Sequence, residues 1–94
     1  MERYKSPFGD VELTNERLRH ILQFHPEIRI YQKLIGAAVE NPEIIRRSKF
    51  DQKVFILYRS ISKRKKYLAV VLKTNQRNFV LTAYLTNKIQ HEAL

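Results

Sequence analysis

The chain has no cysteine. Disulfide stapling, a thiolate nucleophile and zinc sites built on cysteine are therefore excluded. Glycine is almost as scarce, present only at Gly9 and Gly36, so no glycine-rich phosphate loop can form. Histidine occurs three times, at 20, 25 and 91, without ligand-like spacing, and the acids do not cluster. No metal and no cofactor are expected. No run of about 18 apolar residues exists, so no membrane span is expected. The opening "MERYKSPFGDVE" lacks the apolar stretch of a signal peptide. Together with the missing thiols, this suits a cytoplasmic protein. A nucleophile elbow or Ser–His–Asp order is also absent.

Acidic residues are in short supply too. Nine Asp and Glu face eighteen Lys and Arg, giving a net charge of +9 and a pI of about 10.1. Such an excess on a small surface attracts polyanions through counterion release. RNA is the leading partner class, and an acidic protein partner stays open. No helix combines a wide apolar face with a lysine-rich one, so a membrane surface is not expected.

Ninety-four residues make one domain. Residues 1–12 read as an N-terminal arm, broken by Pro7 and Gly9, with a short edge strand near Val11–Leu13. Residues 13–88 form the domain and 89–94 a polar tail. Thr14 or Asn15 can cap a helix in which Leu18, Ile21, Leu22 and His25 share a face. Pro26 ends it. A second helix starts there, with Ile28, Tyr31, Leu34, Ile35, Ala38 and Val39 in the 3.6-residue period, and "ENP" at 40–42 stops it. Extended segments follow at 44–48, 53–60, 67–74 and 78–86, with a basic loop at 61–66. The expectation is an α+β domain: two N-terminal helices packed on an antiparallel sheet of about four strands.

The stretch "NFVLTAYLT", 78–86, poses the functional question. In period two, Phe79, Leu81, Ala83 and Leu85 share one face, and Val80, Thr82, Tyr84 and Thr86 the other. The first set, with Leu68, Val70, Leu72, Phe55 and Leu57, suits burial under the helices. The opposite face would carry Ile56, Tyr58, Tyr67, Val71, Lys73, Thr82, Tyr84 and Thr86, with nothing left in the chain to cover it. Open rings and cations suit single-stranded RNA. Amphipathic strands that simply present Thr and Tyr to water show the same pattern.

"LTNERLRHILQFHPEI" (13–28), "ENPEIIRRS" (40–48), "YLAVVLK" (67–73) and "FVLTAYLT" (79–86) together resemble the phage-associated branch of the barnase–EndoU–colicin–RelE-like nuclease superfamily. "HI…HPE" and "TAYLT" are the most specific parts. The resemblance implies a barnase/RelE-like fold and metal-independent RNA cleavage by a toxin or effector, with a cognate antitoxin or immunity protein as a partner. It also implies a site of a helix histidine, strand cations and Ser, Thr or Tyr near the last strand. Carried over, the catalytic candidates are His20, His25, Arg47, Lys73, Thr82 and Tyr84. The RNA-binding candidates are Arg46, Tyr58, Arg59, Lys63, Arg64, Lys65, Lys66, Tyr67 and Thr86.

Cleavage of this kind uses the neighbouring 2′-OH as nucleophile, with an acid, a base and cations around the phosphate. Histidine suits acid or base work. His20 ranks ahead of His25, which shares the apolar helix face. Arg46 and Arg47 point to opposite faces of an extended segment, and the sequence does not choose between them. Lys63–Lys66 read as a phosphate grip. Competing readings are a noncatalytic RNA-binding module and a basic interaction protein that meets an acidic partner such as an antitoxin.

Overall fold

The computed structural model describes residues 1–62 and 66–89. Among these, three helices pack on one six-stranded mixed sheet. The strands are β1 (Glu2–Ser6), β2 (Gly9–Leu13), β3 (Ile44–Arg47), β4 (Val54–Ser62), β5 (Lys66–Lys73) and β6 (Asn78–Thr86). The helices are α1 (Asn15–Phe24), α2 (Ile28–Tyr31) and α3 (Leu34–Glu40). The spatial order of strands is β1-β2-β6-β5-β4-β3. This corrects the expectation of two helices on about four antiparallel strands in two places.

The first correction is at the N-terminus, where residues expected to form an arm make a hairpin. Its turn depends on Gly9, whose φ of 103° is open to glycine at little cost. The Ser6 hydroxyl donates to the Gly9 carbonyl at 2.7 Å and accepts from the Phe8 amide at 3.0 Å. Asn78 at the start of β6 donates its side-chain amide to the Phe8 carbonyl at 2.9 Å. β2 then pairs parallel to β6 through Val11↔Asn78 and Glu12↔Phe79, while every other neighbour is antiparallel.

The second correction is in the helices. Thr14 caps α1, its hydroxyl accepting from the Arg17 amide at 3.1 Å, and Glu16 lies in the positive first turn. Pro26 stops α1 at His25, whose amide donates to the Ile21 carbonyl at 2.7 Å. The segment expected as one second helix divides at Gln32–Lys33 into α2 and α3. Ile28 of α2 and Ile35, Ala38 and Val39 of α3 are buried. Gly36 lies under the Tyr4 ring, where an added Cβ would stand 2.8 Å from Tyr4 Cε1.

The sheet has two distinct faces. Under the helices, Leu57, Leu68, Val70, Leu72, Val80 and Ala83 join Val11, Leu13, Ile21, Ile28 and α3 in the main core. Ile56, Tyr58 and Ala69 form a second cluster, packed by Ile44, Tyr67, Val71, Tyr84 and Ile89. The period-two reading therefore holds for β4, β5 and the second half of β6. It fails at Leu81, where the register steps from Val71↔Thr82 to Leu72↔Val80. One extra residue in a strand switches the faces of everything before it. Val80 thus enters the main core in the place expected for Phe79, while Phe79 and Leu81 are half-buried.

Candidate functional site

Cross-strand partners stand side by side on one face, so the registers give the second face as rows. The central row runs Ile44, Tyr58, Ala69, Tyr84. Ala69 is the small residue between two tyrosines, and the gap above it lets their hydroxyls share a hydrogen bond. Tyr58 is fully buried and meets Tyr67 edge-on, centroids 6.4 Å apart. Burial, then the charge and the hydrogen bond of Tyr58, push the Tyr84 hydroxyl up to about 12. Tyr84 is consequently neutral at physiological pH, a hydrogen-bonding group and not a base.

The topology then brings a histidine to this row. β2 pairs with β6 over two residues and ends, and α1 continues in its place against β6. The C-terminal end of α1 carries His25 to within 6.0 Å of the Tyr84 ring, centroid to centroid. Glu27, one residue beyond Pro26, places Oε2 3.5 Å from His25 Nδ1. With the carboxylate on the Nδ1 side, Nε2 is the ring nitrogen left for proton transfer. His25, Glu27, Tyr84 and Tyr58 form a continuous set from the helix end to the sheet interior. Glu27 is absent from the candidates that the sequence suggests. Its signal lies in "HPE", where the proline turn folds the acid back on the ring.

The neighbouring row is Arg46, Ile56, Val71, Thr82. Register therefore decides between the two arginines. Arg46 shares the tyrosine face, its Nη1 donating to the Ile45 carbonyl at 3.1 Å. Arg47 pairs with Phe55 and lies over that ring at 5.3 Å, on the helix side. Placing Arg47 in a site with Tyr84 is thus corrected in favour of Arg46. The row on the other side holds Tyr67 and Thr86, and the Thr86 hydroxyl is tied to Lys88, donating to its carbonyl and accepting from its amide, each at 3.1 Å.

Other candidates lie elsewhere. His20 is exposed on α1 and makes no hydrogen bond, ion pair or ring contact among the described residues. Lys73 shares the sheet face but stands four residues along β5 from Ala69, about 13 Å away. Its Nζ donates to Asp51 Oδ2 at 2.9 Å, anchoring the β3–β4 connection. There the Lys53 amide, and then Lys73, hold the Asp51 carboxyl below its usual range. Arg59 Nη1 donates to the Asn41 carbonyl at 2.8 Å beyond the end of α3, so it serves the connection to β3. Lys66 is exposed at the start of β5. Lys63, Arg64 and Lys65 lie outside the described residues.

The expectation of an uncovered stacking surface is also corrected. Tyr58 is wholly enclosed, Ile89 packs over the second cluster, and Tyr84 is half-buried against His25. The face offers a histidine beside a half-buried tyrosine and not a row of open rings. Among the described residues no group of His, Asp and Glu could hold a metal ion, and no helix is long and apolar enough to cross a membrane. No family model matches the chain, and comparison with curated proteins and with solved structures returned no significant match.

Proposed function

We propose that this domain is a metal-independent endoribonuclease of the toxin or effector type, centred on His25. The observation that carries the reading is the convergence of His25, its Glu27 carboxylate and Tyr84 from segments far apart in sequence. In the proposed step His25 Nε2 takes the proton of an RNA 2′-OH. The 2′-oxygen attacks the adjacent phosphorus, the P–O5′ bond breaks, and a proton from water or a second acid completes the 5′-OH. The products are a 2′,3′-cyclic phosphate and a free 5′-hydroxyl. Glu27 stabilises the imidazolium formed on proton transfer. Tyr84, held by Tyr58, fixes the imidazole plane. The net charge of +9 supplies general attraction to RNA. A cytoplasmic setting, with RNA as substrate and an acidic inhibitor as partner, belongs to the same proposal.

A noncatalytic RNA-binding module is the second reading. It is favoured by the Tyr84 hydroxyl at about 12, too high to act as an efficient acid near neutrality. The test is incubation of pure protein with RNA in EDTA, followed by end-group analysis. Cleavage should persist without metal, spare substrates that lack the 2′-OH, and fall about a hundredfold or more in His25→Ala. His20→Ala should cut normally. Cutting of DNA at an equal rate refutes the mechanism, and RNA that is bound yet intact moves the protein to the second reading.

A further inference from the structure

Beyond the histidine site, at the opposite end of β6, lies a cleft of about 410 Å³ lined by Arg17, Arg77, Phe79, Glu12, Thr14 and Gln76 among others. A neighbouring groove of about 450 Å³ shares Glu12, Gln76 and Arg77 with it. Volumes of this order fit a drug-sized or nucleotide-sized ligand. The bulge at Leu81 creates the cleft floor. It rotates Phe79 out of the main core and onto the outer face, beside Glu12 in register. A half-buried aromatic ring is thereby left facing the cleft.

The charges on the walls are arranged to take an anion. Arg17 comes from the first turn of α1 and Arg77 from the β5–β6 turn. Neither guanidinium has a hydrogen bond, ion pair or ring contact among the described residues. The carboxylate of the cleft, Glu12, is already engaged by Arg3 at 3.5 Å. In the adjoining groove Asp10 stands beside Lys5 in register. Free guanidinium forks match phosphate oxygens, and an aromatic floor between them suits a stacked base. We propose that this cleft binds a nucleoside phosphate, met as one unit of a single-stranded RNA, with Phe79 under the base and Arg17 and Arg77 on the phosphate. Phe79 lies five residues along β6 from Tyr84, roughly 16 Å. A strand anchored here would run toward the His25 site, so the cleft would set where along the strand that site acts. The assignment of RNA as ligand rests on the proposed function, but occupancy of the cleft does not require catalysis.

The test is titration of the ¹⁵N-labelled protein with inorganic phosphate, AMP and a short oligouridine, read by amide shifts and by anisotropy of the labelled oligonucleotide. AMP and oligouridine should shift residues 14–17 and 75–80, with phosphate alone weaker. Arg17→Gln/Arg77→Gln should lower oligouridine affinity by tenfold or more, and Phe79→Leu by about tenfold, the scale of one lost base stack. Circular dichroism should show both variants folded, and His20→Ala, exposed on α1, should bind as the parent does. Unchanged affinity in the arginine double variant overturns the proposal. So do shifts confined to the His25–Tyr84 end, or no binding of AMP and oligouridine. Cleft binding without any cleavage would retain this site and reject only the nuclease reading.

Discussion

The Tyr58–Ala69–Tyr84 row makes stability depend on pH in a window where few groups report. The Tyr84 hydroxyl rises from 10.0 to about 12, through burial first and then through Tyr58. In the unfolded chain it titrates near 10. Between these values the folded protein binds more protons than the unfolded one. Linkage then makes stability complete below about pH 10 and lowers it as pH rises toward 12. In a fully shielded site a rise from 10 to about 12 would correspond to roughly 2.7 kcal/mol. Tyr84 is only half-buried, and solvent screening reduces the expected loss to about 1 kcal/mol. Urea unfolding at about pH 9 and about pH 11.5 measures it. Tyr4, raised by burial and by Glu2 and Glu40, loses stability in the same direction. The decisive comparison is therefore with Tyr84→Phe, which should lose less than the parent by about that amount. Tyr58→Phe should fall between the two, because the largest cause, burial, survives it. Equal losses in the parent and Tyr84→Phe would refute the raised ionisation of Tyr84 as the source of the pH dependence, and equal losses in the parent and Tyr58→Phe would refute the contribution of Tyr58.

Three further outcomes follow from packing. Ala69→Leu should cost about 1–3 kcal/mol, because the gap above Ala69 already holds the meeting tyrosines; thermal melts check the stability, and absorbance titration should show Tyr84 ionising at a lower pH. Gly36→Val should cost a similar 1–3 kcal/mol, since even a Cβ would stand 2.8 Å from the Tyr4 ring, and Tyr4→Ala in the same chain should recover part of that loss in denaturant melts. Thr14→Ala removes the acceptor for the Arg17 amide and should lower unfolding free energy by about 1 kcal/mol, whereas Thr14→Ser should be close to neutral.

Much of this arrangement could be read from residue order. The alternation in "YLAVVLK" sorts β5 correctly because both of its long neighbours hold it in an antiparallel ladder. The break at Pro26 is read from one ring that cannot continue a helix. Other features depend on partners distant in sequence. Nothing in "NFVLTAYLT" marks Leu81 as the extra residue, because a bulge is set by the facing strand. Arg46 and Arg47 are equivalent until Tyr58 and Ile56 fix the register of β3. The hairpin of residues 2–13 is obscured by short, charged strands, whose burial comes from α3 and β6 and not from their own pattern. By residue order His25 ranks behind His20 as a catalytic candidate, because it shares the Leu18–Ile21–Leu22 face. That face proves to border the edge of β6, so an inward position delivers the ring to a tyrosine.

The two-residue parallel junction between β2 and β6 also governs when the molecule can exist. Val11 waits for Asn78, and His25 for Tyr84. During synthesis the hairpin and α1 emerge first and have no sheet to join until β6 is made. Such distant pairings slow folding relative to local ones. The histidine centre and the arginine cleft both draw on β6, so a nascent chain that stops short of it carries neither. Any activity would switch on at one late moment of assembly, once the chain has been made through Thr86.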